Sequence, residues 1–504
     1  MAIHTFAAVD VGSSQQELKI FEISRTRGIR PVDSIVRRID LGTDTYNTGK
    51  IHPERVREMA KLLGEFSSIM QNYGVESYKA YGTSAIREMN NPSLVLPYWE
   101  RLSGIHIDVL SNSEQRFLDY KSVASKGENF RKMISDSCAI VDIGGGSIQI
   151  SLFDKDVLTA TQNMRLGVLR LYEKLSHIDV RTAQRDEMIE ELVNTQLEVF
   201  CKLYLGERRI HNIIVVDDYI SAIMQANHRE FIEADEFCDR VSSLHRTEVT
   251  EKMDVSDDDY PLLYISGVLL RCIIKAFGAS LIWAPGVTLC DGIVYEYAEK
   301  RKFITKTHDF EQDIIECAAN ISKRYMGDAE RGESLQKIAL RIFDATKKYH
   351  GMGSREKLLL RLAAILHDCG KFISMANLAE CSYNIIMSTE IIGLSHIERE
   401  IVANVVLFNH KDFVYYEEQE NASDLDEKSY TTIARLTAIL RVANGLDRAH
   451  SHKFDNLHLA IKDDLLVIQA DAGTDISLEK GMFRQRAAFF EEVTGLLPVI
   501  RQKK

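Results

Sequence analysis

Apolar runs interrupted by short polar turns mark the first half of the chain and predict β-hairpins. Residues 6–23 read as an apolar strand, a turn and a second strand, and residues 138–153 repeat this pattern. An aspartate, Asp10 or Asp142, ends the first strand of each hairpin, and glycines follow it. One glycine turn more often serves only the backbone of a hairpin, but two copies predict duplicated halves that share a cleft.

The periodicity changes along the chain. Pro53 stands at the start of a helical pattern over 52–73, and the β-branched run 212–216 predicts a buried strand. The stretch 225–258 is polar and poorly periodic, and its acidic end at 254–260 indicates a solvated loop. Apolar residues then recur at helical spacing and predict helices at 310–325, 333–350, 355–373, 381–392, 396–409 and 429–448. A tail of two strands, 457–461 and 465–470, and a helix at 479–495 predicts a small α/β unit.

Composition narrows the class of protein. The 504 residues are 45% hydrophobic and 27% charged, so we expect a folded protein of three or four domains. Eight scattered cysteines without a Cys-x-x-Cys pair are typical of reduced thiols. No apolar run approaches the length of a membrane span, and the N-terminus lacks the features of a signal peptide. We therefore expect a cytoplasmic protein with no membrane partner.

Charge bears on the ligand. A formal net charge of −12 disfavours a nucleic-acid partner, and a phosphate substrate would need a local basic cleft or metal ions. The glycine turns can offer backbone N–H groups to an anion, and an aspartate beside them can hold a hard cation through water. Together these residues indicate a phosphate site that contains a divalent cation.

Six short motifs follow one another along the chain. They are Ala-Val-Asp-Val-Gly-Ser at 8–13, Gly-Thr-Ser-Ala-Ile-Arg at 82–87, Leu-Ser-Asn-Ser-Glu at 110–114, Val-Asp-Ile-Gly-Gly-Gly-Ser at 141–147, Arg-Leu-Gly-Val-Leu-Arg at 165–170 and Ala-Ala-Ile-Leu-His-Asp-Cys-Gly-Lys at 363–371. In this order they resemble the exopolyphosphatase/guanosine pentaphosphate phosphohydrolase (Ppx/GppA) family over nearly the whole chain. The paired hairpins likewise resemble those of the actin, Hsp70 and sugar-kinase superfamily.

The resemblance implies an α/β fold of four parts. Two actin-like (ribonuclease H-like) domains would occupy residues 1–125 and 126–305. An all-α HD-like domain at 306–452 and a small α/β domain at 453–504 would follow. It also implies a homodimer that hydrolyses the terminal phosphate of inorganic polyphosphate, or of guanosine pentaphosphate, with Mg²⁺ or alternatively Mn²⁺.

The resemblance also implies roles for individual residues. Glu114 would activate the attacking water, although a glutamate in a first helical turn is more often a cap. Arg87 would clamp phosphoryl oxygens, and Arg38 would line the substrate path, unless it is a solvated strand arginine. Asp142 and Gln149 would hold the metal. The residues expected to bind phosphate are Asp10, Gly12, Ser13, Ser14, Gly144, Gly145, Gly146 and Ser147.

Several positions depart from the family pattern. Gln149 stands where a glutamate usually helps to hold the metal, so the site loses a negative charge. Asp217 stands where a glycine turn is expected, and Cys290 stands where an arginine is common. Two interpretations follow. Either the site works with a reduced set of residues, or the chain is a degenerate member that binds polyphosphate or a guanosine alarmone as a sensor.

The helical region resembles an HD domain. His367, Asp368 and Asp447 match three of its four metal ligands, but the first histidine is missing from the stretch 331–336. His410 could add a ligand. We expect a structural remnant that extends the polyphosphate channel or the dimer interface. The competing hypothesis, a working HD phosphohydrolase behind an inert first half, predicts activity that depends on His367 and not on Glu114.

Overall fold

Two β-sheets with the same strand order organise the first part of the chain. The computed structural model describes residues 3–176, 182–253, 255–418, 425–446, 453–454, 457–470 and 475–502. Its Cα positions group into two compact units, Met1–Phe310 and Glu311–Lys504. Both sheets lie in the first unit.

The first sheet has the order β3-β2-β1-β4-β5. Its strands are β1 (His4–Val11), β2 (Gln15–Ser24), β3 (Gly28–Arg38), β4 (Ser77–Gly82) and β5 (Asp108–Val109). The first three strands form an antiparallel meander, and β4 then pairs in parallel with β1. The edge strand β5 is only two residues long.

The second sheet repeats this topology in the order β8-β7-β6-β9-β11, with β10 added at its edge. Its strands are β6 (Cys138–Ile143), β7 (Ile148–Asp154), β8 (Val157–Met164), β9 (Asn212–Val216), β10 (Phe231–Glu233) and β11 (Leu281–Trp283). Again three antiparallel strands precede a strand that pairs in parallel with the first. The matching orders confirm the predicted duplication of the two halves.

Helices cover both sheets of the first unit. They are α1 (Leu41–Thr48), α2 (Pro53–Asn72), α3 (Ser84–Glu88), α4 (Pro92–Ser103), α5 (Asn112–Ala124), α6 (Glu128–Ile134), α7 (Val168–Ser176), α8 (Thr182–Phe200), α9 (Asp218–Ala226), α10 (Ala234–Ser242), α11 (Arg246–Lys252), α12 (Tyr260–Phe277) and α13 (Leu289–Lys300). All six residues of β6 are buried, because helices pack on both faces of its sheet. The predicted helix at 52–73 is confirmed as α2.

The polar stretch at 225–258 is more ordered than its composition suggests. It contains β10, α10 and α11, and buried Phe237, Val241 and Val249 anchor the two helices to the core of the second sheet. Elements of three to nine residues are too short for their apolar positions to produce a periodic signal. These three elements were therefore not predicted from the sequence.

Helix α12 has the length and hydrophobicity of a membrane span, with a mean hydropathy of 1.5. The expectation that no apolar run approaches such a length therefore needs correction. In the structure 72% of this helix is buried, and its side chains belong to the core of the second sheet. Its Arg271 pairs with Asp186 and Glu190 of α8. A core helix of a folded domain explains these features.

The second unit is helical with a small sheet. Its helices are α14 (Phe310–Arg324, which begins at the last residue of the first unit), α15 (Ala329–Ala345), α16 (Lys347–His350), α17 (Ser354–Leu366), α18 (Leu378–Ser388), α19 (His396–His410), α20 (Glu427–Leu446) and α21 (Ser477–Thr494). Three strands form a sheet in the order β12 (His458–Lys462), β13 (Leu465–Ala470) and β14 (Leu497–Gln502). The six helices predicted at 310–448 are all present, while β14 was not predicted.

Candidate functional site

The turn between β1 and β2 brings the backbone of Gly12, Ser13 and Ser14 beside Asp10. The N–H of Gly12 closes the turn with a hydrogen bond of 3.1 Å to the carbonyl oxygen of Gln15. A Cβ on Gly12 would lie 2.6 Å from that oxygen, so the turn requires glycine. The close turn places an aspartate and several backbone N–H groups at one end of the sheet.

The turn between β6 and β7 has the same geometry with Asp142 at the strand end. The N–H of Gly144 donates to the carbonyl oxygen of Ser147 at 2.9 Å. A Cβ on Gly145 would lie 3.1 Å from the Cβ of Ser13 in the other turn. The two turns therefore face each other, as the duplicated hairpins predicted.

The hydroxyl group of Tyr46 lies close to both turns. The Oγ of Ser13 lies 2.8 Å from the hydroxyl oxygens of both Tyr46 and Ser84, and Ser13 is buried. A Cβ on Gly146 would overlap the Tyr46 hydroxyl. The side chain of Ser13 is thus engaged inside the protein, so only its backbone could serve the predicted contact with phosphate.

Arg170 stabilises the second turn, a role that the sequence did not predict. Its backbone N–H donates to the carbonyl oxygen of Gly145 at 3.1 Å, and its Nε donates to that of Gly146 at 3.0 Å. A salt bridge of 2.8 Å joins it to Glu88. Its motif at 165–170 was the available signal, because an arginine near a glycine turn is a natural partner for the carbonyl groups of the turn.

The two turns open into a cleft with a volume of about 380 Å³. Six acidic residues line it: Asp10, Glu17, Asp119, Asp142, Asp217 and Asp218. Among the described residues, no lysine, arginine or histidine does so. A phosphate can be attracted by basic side chains or by bound cations. Because this lining has no basic side chain among the described residues, a phosphate here would need bound cations.

Several carboxyl groups of the cleft have pKa values above the ordinary value for aspartate. Burial raises the pKa of Asp142 to about 7 and raises that of Asp119 well above its ordinary value of 3.8. The two carboxyl groups hydrogen-bond to each other, so one of them carries the proton. Burial and repulsion from Glu17 raise the pKa of Asp10 strongly and that of Asp218 to about 6, although Asp218 is open to water in the cleft.

Four of these acids, Glu17, Asp119, Asp217 and Asp218, were not predicted as site residues. Asp119 follows the apolar Leu118 in α5, and such an acid within a buried helix face is the signal that could have identified it. Asp217 caps α9 by accepting the N–H of Ile220 at 2.5 Å, and burial raises its pKa. Glu17 carried no signal, because it alternates with apolar residues as any strand residue does.

Glu114 is the third residue of α5 and forms a capping box with Ser111. Its Oε2 accepts the N–H of Ser111 at 3.0 Å, and its own N–H donates to the Ser111 Oγ at 3.2 Å. Glu114 does not line the cleft, but the next residue, Gln115, does. Arg87 is bound to the carbonyl oxygen of Leu110 at 2.6 Å and lies outside the lining.

The remaining candidates also lie outside the lining. Arg38 pairs with Asp40 at 3.4 Å and with Asp259, so carboxylates already balance its charge. Gln149 is buried opposite Asp142 in the β6–β7 ladder, and no donor reaches its Oε1 in the described part of the chain. Gly146 and Ser147 belong to the turn but are absent from the lining.

Three carboxylate oxygens of the cleft are suited to a hydrated metal ion. The oxygens Oδ1 of Asp10, Oδ2 of Asp119 and Oδ2 of Asp142 are buried, and none has a hydrogen-bond partner in the described structure. Within the described residues, no three His, Cys, Asp or Glu side chains are close enough to hold a metal directly. Unpartnered carboxylate oxygens without a closed cage suit a hydrated Mg²⁺, which keeps several waters and binds one or two carboxylates.

The HD-like residues of the second unit form a buried cluster. His367 and Asp368 follow α17, and burial lowers the pKa of His367 to about 4. Arg331, which belongs to the stretch where the first histidine is missing, donates to Asn444 at 2.9 Å and also lowers the His367 pKa. A guanidinium charge beside the pair disfavours a metal cation there. Asp447 lies outside the described residues.

Comparison with known proteins agrees with these motifs. A family model described as the Ppx/GppA phosphatase family matches residues 20–301. A second, described as Ppx/GppA phosphatase, domain III, matches residues 315–483. Together the two models cover most of the chain, including the second glycine turn and the HD-like motif.

Curated relatives carry two names. A guanosine-5'-triphosphate,3'-diphosphate pyrophosphatase from Photobacterium profundum is 20% identical over 442 residues, which are 86% of each chain. Exopolyphosphatase 2 from Mycobacterium tuberculosis is 26% identical over 210 residues, 39% of this chain and 63% of that protein. Both names describe hydrolysis of phosphoanhydride bonds.

Solved structures share the fold. An exopolyphosphatase from Cytophaga hutchinsonii has a TM-score of 0.52 at 18% identity, and the match covers 61% of this chain and 100% of that one. The Aquifex aeolicus Ppx/GppA family member has a TM-score of 0.50 at 18% identity, with 60% and 99% covered. These likenesses confirm the α/β class with two actin-like halves, and at this identity they concern the fold alone.

Proposed function

The chain belongs to the Ppx/GppA phosphatase family, a family of phosphoanhydride hydrolases, and we propose that it is an exopolyphosphatase. It would remove the terminal phosphate of inorganic polyphosphate, with guanosine pentaphosphate as the alternative substrate. In the reaction a water oxygen bonds to the terminal phosphorus while the bridging P–O bond breaks. Orthophosphate and a chain shortened by one phosphate leave the site.

The acidic cleft between two glycine turns is the observation that carries this proposal. Its six carboxyl groups would repel a phosphate chain in the absence of cations. The backbone turns can accept an anion only when those charges are neutralised. A phosphate chain that carries bound divalent cations would overcome the repulsion and could then bind the backbone N–H groups of the turns.

Mg²⁺, or Mn²⁺, is the proposed cofactor. Asp142 would hold it with support from Asp10 and Gln149, because unpartnered oxygens of all three side chains lie buried at the turns. When bound, such an ion neutralises phosphate oxygens and eases the departure of the leaving group. The protein itself contributes the rigid turns that orient the terminal phosphate.

Glu114 is the proposed general base. The capping box engages its Oε2, and a carboxylate has lone pairs on both oxygens, so one oxygen can cap α5 while the other accepts a proton from water. The next residue of α5, Gln115, lines the cleft, which supports this proposal. Arg87, held by the Leu110 carbonyl nearby, would bind phosphoryl oxygens as the substrate enters.

The decisive experiment compares wild type with Glu114→Gln. Phosphate release is measured from long-chain polyphosphate and from guanosine pentaphosphate, with Mg²⁺ and then Mn²⁺. Glutamine keeps the capping acceptor but cannot take a proton, so we expect release to fall about 10²- to 10⁴-fold while polyphosphate binding persists. Glu128→Gln, at the exposed start of α6, is the matched control and should retain full release. Equal turnover in Glu114→Gln and wild type would refute the mechanism.

The sensor hypothesis has its own support. Both Glu114 and Arg87 make structural hydrogen bonds, and Gln149 brings no charge. If wild type binds polyphosphate tightly but releases no phosphate with either metal, the chain is a binding protein. The relative release from the two substrates decides between polyphosphate and guanosine pentaphosphate.

The proposed setting is the cytoplasm, with a homodimer as the working form. Each of the eight cysteines, all within the described residues, is a thiol and not part of a disulfide, which is compatible with a reducing compartment. Sedimentation of the purified protein would measure the oligomeric state directly.

A further inference from the structure

Asp119 is a carboxylate in an unusual place. It lies in the middle of α5, where seven consecutive residues from Phe117 to Val123 are buried, and only 4% of its surface is exposed. Burying an ionisable side chain without compensation is costly, so such residues are rare unless another group interacts with them. Asp119 also lines the cleft, so a ligand in the cleft can reach its carboxyl group.

The surroundings of Asp119 supply little of that compensation. Asp142 shares a hydrogen bond with it, and Asp10 adds a second negative charge nearby. Arg116, one turn earlier on the same helix, is the positive charge that acts on it. The Oδ2 atoms of Asp119 and Asp142 have no hydrogen-bond partner in the described part of the protein. Two buried oxygens that lack donors at the wall of a cleft fit a ligand that is a cation.

Gln149 explains why a second carboxylate is needed at this point. It lies directly opposite Asp142 in the antiparallel β6–β7 ladder, and directly opposed residues bring their side chains close together. Gln149 is uncharged, so the ladder itself contributes only one carboxylate. Asp119 reaches the same carboxylate from helix α5.

We propose that Asp119 and Asp142 together bind one hydrated divalent cation, and that Asp119 supplies the charge that Gln149 lacks. Two carboxylates and retained waters match the coordination that Mg²⁺ prefers, and this arrangement needs no third protein ligand. The inference rests on the proposed function only in assuming that this cleft takes a cation. Substrate is not needed to test it.

The test measures Mn²⁺ binding to the full-length protein by electron paramagnetic resonance, without substrate, and repeats it with Mg²⁺ by calorimetry. Asp119→Asn should weaken binding about 10- to 100-fold, the loss typical when support for a metal site is removed. Asparagine has nearly the shape of a protonated aspartate and can still donate to Asp142. The metal-free variant should therefore keep the Tm of wild type, which separates loss of a ligand from loss of the fold.

Two further variants make the test specific. Gln149→Glu in the Asp119→Asn background should restore Mn²⁺ affinity to within about 3-fold of wild type, because it returns a carboxylate beside Asp142. Glu17→Gln removes another cleft charge that has no hydrogen bond to Asp142, and should weaken binding less than about 3-fold. Unchanged affinity in Asp119→Asn, failure of the Gln149→Glu rescue, or an equal loss in Glu17→Gln would each overturn the proposal.

The outcome is independent of catalysis. If Mn²⁺ binds through Asp119 but wild type releases no phosphate, the cation site stands and the exopolyphosphatase proposal fails. If wild type releases phosphate but Asp119→Asn binds Mn²⁺ as wild type does, the exopolyphosphatase proposal stands and the Asp119 cation site fails.

Discussion

At the scale of single residues, the carboxylate of Glu114 has two roles, one as a helix cap and one as the proposed general base. It caps α5 through Oε2, and its other oxygen is the proposed base. The sequence pattern Ser-x-x-Glu at 111–114 predicts the cap, and the family resemblance predicts the base. Both descriptions can hold, because the capping bond requires an acceptor and not a particular protonation state.

The two tasks can be separated by substitution. Glu114→Ala should lower the free energy of unfolding by about 1 kcal/mol through loss of the cap, whereas Glu114→Gln should leave it within about 0.5 kcal/mol of wild type. Chemical denaturation of both variants measures the difference. A loss of stability in Glu114→Gln as large as that in Glu114→Ala would show that the charge of Glu114, and not its capping bond, stabilises α5.

At the scale of elements, α5 carries the proposed base and one proposed cation ligand. Glu114 and Asp119 both belong to it, and it packs closely on α13. Gly292 of α13 lies so close to Leu118 of α5 that a Cβ there would overlap the Leu118 carbonyl group. This close approach fixes the position of α5 relative to the turns.

Gly292→Ala should therefore displace α5. Overpacking against a backbone carbonyl is expected to cost about 2 kcal/mol of stability and to reduce phosphate release together with it. Gly64→Ala is the matched control, because Gly64 lies inside α2 with no atom within 4 Å of an added Cβ. The control should gain up to about 1 kcal/mol through helix propensity. Thermal melting of both variants measures the two effects, and a neutral Gly292→Ala would contradict the close packing.

At the scale of the whole molecule, the two units have opposite responses to pH. The folded first unit keeps the Asp142 proton up to a pKa of about 7, while the unfolded chain releases it near 3.8. The free energy of unfolding of this unit therefore falls as pH rises from about 4 to about 7. In the second unit, burial lowers the pKa of His367 from 6.5 to about 4. Its free energy of unfolding therefore falls as pH drops from about 6.5 to about 4.

Calorimetry of the full chain should show this contrast as two transitions. The shift at Asp142 corresponds to about 4 kcal/mol and that at His367 to about 3 kcal/mol, so both Tm values should move by several degrees in opposite directions. Added Mg²⁺ should raise only the transition of the first unit. A single transition, or two that shift in the same direction with pH, would contradict this division of charge.

Much of the fold could be predicted from the sequence because it rests on local patterns. The two Asp-Gly hairpins, α2 and the helices of the second unit follow from periodicity and turn residues, and the structure confirms them. The short elements β10 and α10 were missed because packing and not local pattern stabilises them. The apolar stretch of α12 was overlooked as one of membrane-span length. Its burial was left to the structure to show, because length and hydrophobicity describe a buried core helix as well as a membrane span.

The sequence by itself determined the family, the two glycine turns and the aspartates Asp10 and Asp142 that stand beside them, because motifs and turns are properties of neighbouring residues. Only the tertiary structure decided which charges meet in the cleft. Asp119 and Asp142 are 23 positions apart in the sequence. They share a hydrogen bond only because α5 packs against the second sheet at the end of β6. Electrostatic interaction depends on distance in space and on burial, and neither can be read from spacing along the chain.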